Sequence, residues 1–216
     1  MATGQRKGTY EKGRLRREAI VDAATDRFVE VGYLRASLAQ IAADVGITEG
    51  GLLHHFPSRM HLLVAVLDRR LARTAEWWQA EDVEGDPVGV MKRIIRTGRQ
   101  LTAEPGLIEL FVKIGAEAAD PTSPAHELYA ERYADVIQSA AREIASGVDA
   151  GYFRDDLDPV RIAREVIAVS DGLQLQWVLA GGELDLVEGI RAHAIGLAER
   201  IVVEPHRDRI GELRTT

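Results

Sequence analysis

The stretch SLAQIAADVGITEGGLLHHF, residues 37–56, decides the fold. Ser37 can cap a short helix whose apolar positions, Leu38, Ile41, Ala42 and Val45, keep the three-and-four spacing of one helix face. Gly46 is free to take the left-handed turn that ends this helix, and Ile47 plugs the angle beyond it. Thr48 caps a second short helix running to His54 or His55, with Leu52 and Phe56 facing inward. A helix, a tight glycine turn and a second helix make a helix-turn-helix, in which the second helix enters the major groove of DNA and the first crosses the backbone. Gly50 and Gly51 weaken that second helix by about 1 kcal/mol each against Ala, so packing or close approach must account for them.

Helices this short are marginal alone in water and need a support. Upstream, Ile20, Ala23, Ala24, Phe28 and Val31 mark an amphipathic helix over residues 14–31, stopped by Gly32, which completes a three-helix unit. Downstream, Pro57 and Ser58 punctuate the chain, and Leu62, Leu63, Val66, Leu67 and Leu71 mark a long fourth helix to about Glu81. The run EDVEGDP, residues 81–87, reads as an acidic loop. Proline after Asp86, Glu104 and Asp158 marks helix starts, because its missing N–H would be unpaired there anyway. Further helices are expected at about 86–103, 105–119, 123–150, 158–180 and 184–203. The predicted fold is all-α with about nine helices. A basic flexible arm (1–13) precedes a helix-turn-helix DNA-binding domain (14–57), a helical ligand-binding and dimerisation domain (58–203) and a polar, frayed tail (204–216).

The chain has 216 residues, no cysteine and a formal charge of −7. Without cysteine there is no disulfide framework, thiolate metal site or cysteine nucleophile. The charge taken whole argues against a polyanionic partner, but it is divided unevenly. Residues 1–60 hold nine Lys or Arg against seven Asp or Glu, while residues 61–216 hold eighteen against twenty-seven. Arg6, Lys7, Lys12, Arg14, Arg16 and Arg17 face only Glu11 and Glu18 in the first twenty residues. This suggests a small module that meets nucleic acid and an acidic body that does something else; a solvated basic tail is the alternative. The N-terminus lacks the apolar core of a signal peptide and no stretch approaches the roughly 18 apolar residues of a membrane span, so a cytoplasmic protein is expected.

Three segments carry a family resemblance: Ser37-Leu38-Ala39-Gln40-Ile41-Ala42, Val45-Gly46-Ile47-Thr48-Glu49-Gly50, and Leu52-Leu53-His54-His55-Phe56-Pro57-Ser58-Arg59. Together they resemble the N-terminal signature of TetR-family transcriptional repressors, over residues 14–67. AGYFRDDLDP and VSDGLQLQW further resemble the C-terminal halves of many actinobacterial-type members. The resemblance implies an all-helical homodimer with a ligand pocket in the second domain. It also implies that Ser37 and Thr48 bond phosphates, that His54 and His55 contact the backbone, and that Arg59, where the family usually has Lys, holds a phosphate. Glu49, Gly50 and Gly51 would face the major groove, and Arg14, at the start of the DNA-binding domain, is a further candidate DNA contact. Leu53 stands where the family commonly has Tyr, so one phosphate hydrogen bond is absent or moves to His54. Glu49 either accepts from a cytosine amino group or caps its helix.

Other chemistry finds little footing. There is no HExxH, no Glu-x-x-His pair, no G-x-S-x-G elbow and no phosphate loop ending in Gly-Lys. His54 and His55, adjacent on a helix, point about 100 degrees apart and poorly suit one metal ion. No enzyme activity, cofactor or metal is expected; a helical-bundle enzyme on small apolar substrates and an adaptor using the helix-turn-helix for protein contact are the alternatives.

In the acidic body, Ile162, Val166, Val169 and Leu173, followed by Leu186, Ile190, Ala194 and Leu197, form apolar stripes suited to pairing with a second subunit; an ordinary monomeric core is the alternative. Trp77, Trp78, Met91, Leu110, Phe111, Ile114, Tyr129, Tyr133 and Trp177 are the candidate apolar lining of a ligand pocket. Glu117, Asp171, Gln174 and Gln176 are its candidate polar groups, with a helix–helix hydrogen bond or an exposed position as the alternative for each. As a set they suggest an apolar ligand with one or two polar or cationic groups. The expected mechanism is a ligand-responsive repressor on a palindromic DNA operator, in which a small-molecule effector moves the fourth helix like a lever.

Overall fold

The computed structural model describes residues 3–80, 83 and 85–216, with side chains from Glu11 onward. The rest of the predicted acidic loop, Glu81, Asp82 and Glu84, and the side chains of Arg6 and Lys7 lie outside the described residues. The described residues form nine α-helices and a closing 3₁₀ helix, Glu204–Arg214, with a single isolated β-bridge between Phe153 and Val202.

The DNA-binding motif folds as its caps dictate. Helix α1 (Thr3–Val31) ends at Gly32, whose φ is +80°. Ser37 opens α2 (Leu38–Asp44) with a capping box: its hydroxyl accepts from the Gln40 N–H at 3.2 Å while the Gln40 side chain accepts from the Ser37 N–H. Gly46 turns the chain at φ +68°, and Thr48 opens α3 (Glu49–His55) by accepting from the Gly51 N–H at 3.1 Å. Helices α4 (Arg59–Ala80), α5 (Gly89–Thr102), α6 (Pro105–Glu117), α7 (His126–Asp149), α8 (Pro159–Leu179) and α9 (Leu186–Ile201) follow. Asp158 caps α8 through the Arg161 N–H, with Pro159 in its first turn.

Both ends expected to be flexible carry helix among the described residues. The basic arm continues α1 from Thr3, and ion pairs from Arg14 to Glu11 (2.6 Å) and Glu18 (2.5 Å), one turn to either side, favour the helical path. The polar tail docks as the 3₁₀ helix because Ile210 and Leu213 are buried, while Lys92 joins Glu212 at 2.6 Å and Asp86 at 2.7 Å. Polar composition concealed two apolar anchors and one ion cluster.

Two apolar cores result, and their boundary does not follow the chain. The first joins α1, α2, α3 and the start of α4 to Leu107, Leu110, Phe111 and Ile114 of α6. The second gathers α5, α7, α8, α9 and the tail around Met91, Ile95, Ile144, Ala163, Ala194 and Leu197. Helix α6 therefore belongs to the DNA-binding core as well as to the body. A Cβ at Gly106 would overlap the Phe28 carbonyl oxygen, so glycine is what permits α6 to begin against the end of α1.

Candidate DNA-binding face and effector cavity

Side chains from α1 hold the helix-turn-helix in place. Arg27 grips Asp44 with two hydrogen bonds, 2.6 and 2.8 Å, tying α1 to the end of α2 and holding the Asp44 carboxyl below its ordinary range. Arg16 donates to the Val45 carbonyl at 2.9 Å, beside the turn, and the Arg17 guanidinium stacks 4.7 Å from the centre of the Phe56 ring. The sequence counted Arg16 and Arg17 in a basic N-terminal run and gave no role to Arg27, so their part in bracing the motif was missed. An i to i+17 pair across two helices has no local signature.

On α3, Glu49, Gly50 and His54 are exposed, Gly51 and His55 half-buried, and Leu52 fully buried. Ser37 and Thr48 are exposed at the two helix starts. A Cβ on Gly50 would meet only Thr48 Oγ1 at 3.9 Å, and one on Gly51 would make ordinary contacts at 3.4 and 3.7 Å. Internal packing therefore does not require either glycine. Glu49 makes no hydrogen bond among the described residues; Thr48 is the cap. The rings of His54 and His55 stand edge to face, 5.8 Å apart, a geometry that does not converge on one ion.

Arg59 departs from the sequence expectation. Its terminal nitrogens donate to the carbonyls of Ala36, at 2.8 Å, and Tyr33, which anchors α4 beneath the α1–α2 connection instead of leaving the guanidinium free for a phosphate. Arg14 is exposed and paired with its two neighbouring glutamates.

A cavity of about 540 Å³ opens in the body, walled by α4 to α8 and floored by α9. Trp78, Met91, Phe111, Asp171 and Gln174 line it as expected. Small residues at Ala72, Ala75, Ser139, Ala140 and Ser170 line it too and leave it unfilled. The other predicted pocket residues lie elsewhere. Leu110 and Ile114 are buried in the core shared with the DNA-binding unit. Trp77 packs under Arg73, 5.2 Å from its ring, and Trp177 packs against the Gly181–Gly182 turn. Tyr129 donates to the Phe111 carbonyl at 2.5 Å, and Tyr133 to Asp171 at 2.6 Å. They support the lining from behind. Glu117 and Gln176 are exposed, outside the lining of this cavity. Burial raises the pKa of Asp171, opposed by the Tyr133 hydrogen bond and the charge of Arg132. The sequence reading missed Arg70 and Arg132, which also line the cavity; a buried arginine on an otherwise apolar helix face was the available signal.

The predicted dimer stripes are also corrected. Ile162, Val166, Leu186, Ile190, Ala194 and Leu197 are buried within this one chain, where α9 packs along α5, and Val169 and Leu173 are half-buried. A helix apolar on several faces can meet its own core with the stripe assigned to a partner.

Two family models match the chain. Residues 20–66 match the bacterial regulatory proteins of the tetR family, and residues 102–205 match the C-terminal domain of BetI-type transcriptional repressors. The chain belongs to the TetR family of transcriptional regulators. Among its relatives, the transcriptional regulator TtgR of Pseudomonas putida is 29% identical over 188 residues, 83% of this chain and 88% of that protein. Two solved structures share the fold of this TetR-family protein. One is a transcriptional regulator from Saccharomonospora viridis in complex with choline, at TM-score 0.70 and 24% identity, covering 87% of this chain and 98% of the other. The other is SmeT, the repressor of a Stenotrophomonas maltophilia multidrug efflux pump, at TM-score 0.67 and 22% identity, covering 87% and 91%. The relatives are transcriptional regulators, and no described helix is long and apolar enough to cross a membrane.

Proposed function

We propose that this TetR-family regulator is a cytoplasmic, non-enzymatic homodimeric repressor. It binds a palindromic operator through α3 and leaves it when a small, largely apolar molecule fills the cavity. The observation that carries the DNA half is α3 itself: a capped helix presenting Gly50 and Gly51 outward with no internal reason for glycine, beside the exposed Ser37, Thr48, Glu49 and His54. Ser37 and Thr48 meet phosphates, His54 and His55 the backbone, and Glu49, Gly50 and Gly51 the groove. Arg59 acts from beneath, by holding α4 to the motif.

The dimer face supported by this geometry is the outer side of α8 and α9. Leu175 and Leu179 are 45% and 77% exposed there, and a side chain at Gly172 or Gly196 would project into open space. Such a face suits close helix packing against a second copy. The cavity connects to the DNA-binding unit by two elements, α4 and α6. Arg70 of α4 donates to the Leu107 carbonyl of α6, next to the Gly106–Phe28 contact with α1. An effector that binds one arrangement of α4 and α6 more tightly shifts the spacing of the two α3 helices.

Selection of genomic fragments by the purified full-length protein tests this reading. Palindromic fragments should be recovered, bound with a steep dependence on salt. Recovery of no duplex at low salt would overturn it.

A further inference from the structure

Two arginines line the cavity and keep buried nitrogens without an acceptor. Arg70 is 3% exposed; one of its terminal nitrogens holds the Leu107 carbonyl, and the other, Nη2, is buried with no acceptor. Arg132, reaching in from α7, buries its Nε without an acceptor and makes no hydrogen bond or ion pair among the described residues. The two share one ring, their guanidinium carbons lying 5.9 and 5.6 Å from the centre of Phe111. Leaving a buried guanidinium nitrogen without an acceptor is costly, and two beside one ring define a place where an acceptor is missing.

Glu104, the carboxylate whose charge acts most on Arg70, is paired with Arg73, and the other carboxylates nearby do not fill the place either. Asp171 accepts from Tyr133 and lies beyond ion-pair distance of both arginines. Asp68, Glu131 and Asp135 also line the cavity, but they are exposed to solvent. Water and salt screen them, so they slow the approach of an anion more than they weaken its bound state.

We propose that the cavity takes an amphipathic organic anion, a carboxylate on an apolar body. The carboxylate pairs with the guanidinium groups of Arg70 and Arg132, and the apolar body lies along Met91, Ile94, Ile144 and Ile190. A guanidinium fork matches a carboxylate in shape as well as charge. Burial pulls Arg70 down to about 10 against the opposing charge of Glu104, and the like charge of Arg132 adds to the fall, which leaves the group cationic at neutral pH. The assignment rests on the cavity being the effector site, and it replaces the cationic group suggested by sequence. It also puts the ligand on the side chain that ties α4 to α6.

The test compares decanoate, decanol and decyltrimethylammonium on the full-length protein, read by tryptophan fluorescence and thermal shift. Decanoate should bind about tenfold or more tightly than decanol, and the ammonium should bind more weakly than either. Arg132→Gln removes no hydrogen bond from the described protein, so it should fold normally and weaken decanoate by about tenfold while leaving decanol unchanged. Arg70→Lys, which keeps a donor for Leu107, should weaken decanoate in the same direction. Decanol or the ammonium binding as tightly as decanoate, or unchanged decanoate affinity in Arg132→Gln, would overturn the anion assignment while leaving an effector cavity in place. Absence of saturable binding by all three probes would overturn both.

Discussion

The recognition helix and the start of α6 use the same residue for opposite reasons. Gly50 and Gly51 stand where a side chain would meet nothing tighter than ordinary contact, whereas Gly106 stands where a Cβ would overlap the backbone of Phe28. Both weaken their helices, but the first pair leaves a surface open to something outside the protein and the second closes a seam within it. The seam joins the DNA-binding core to the helix that carries Phe111 into the cavity. Low helix propensity marks both places, and only the surrounding space distinguishes a partner's approach from an internal joint.

That contrast can be broken by substitution. Gly106→Ala should have the largest effect, because the added methyl meets backbone that cannot swing aside: a loss of about 1–3 kcal/mol in stability, with operator binding impaired as α6 is driven from α1. Thermal melting with gel-shift titration checks it; an unchanged melting point would mean that the seam is not tight. Gly50→Ala should do the reverse to stability, raising it by about 0.5–1 kcal/mol, while operator affinity falls by about tenfold. Tighter operator binding in this variant would remove the close-approach explanation.

The smallest effect concerns the tail. Glu212, between Arg209 and Lys92, is depressed from 4.5 to about 2, chiefly by their hydrogen bonds. A folded-state value below the unfolded one means that its contribution is complete above about pH 4.5 and is lost as the pH falls toward 2. Hydrogen exchange across residues 204–214 should rise over that interval, and Glu212→Gln should raise it already at neutral pH. Equal protection in the variant would leave Ile210 and Leu213 as the tail's sole anchors.

The helix-turn-helix was legible because its determinants are local. Ser37, Gly46 and Thr48 act within three or four residues, and the apolar spacing of Ile41, Leu52 and Phe56 repeats with the helix. The cavity was legible only as composition. Trp78, Met91 and Phe111 do reach the cavity, but Trp77, one residue away, does not, and Leu110 and Ile114 turn into the other core. For the dimer face the apolar stripes on α8 and α9 were real, and what misled was that α5 takes the α9 stripe first.

From the sequence alone follow the unequal division of charge and, because they depend on residues within a turn or two of one another, nine helices, the caps at Ser37 and Thr48, the start at Asp158-Pro159 and the helix-turn-helix, whereas α5 begins at Gly89, beyond the start read at Asp86-Pro87. Tertiary structure decided which face of α9 is core, that α6 belongs to both cores, that the tail docks, and that Arg70 and Arg132 meet over Phe111. These depend on how whole helices stack. A helical stripe specifies that it will be buried and not by what, so the identity of the covering surface enters only when the chain is closed on itself.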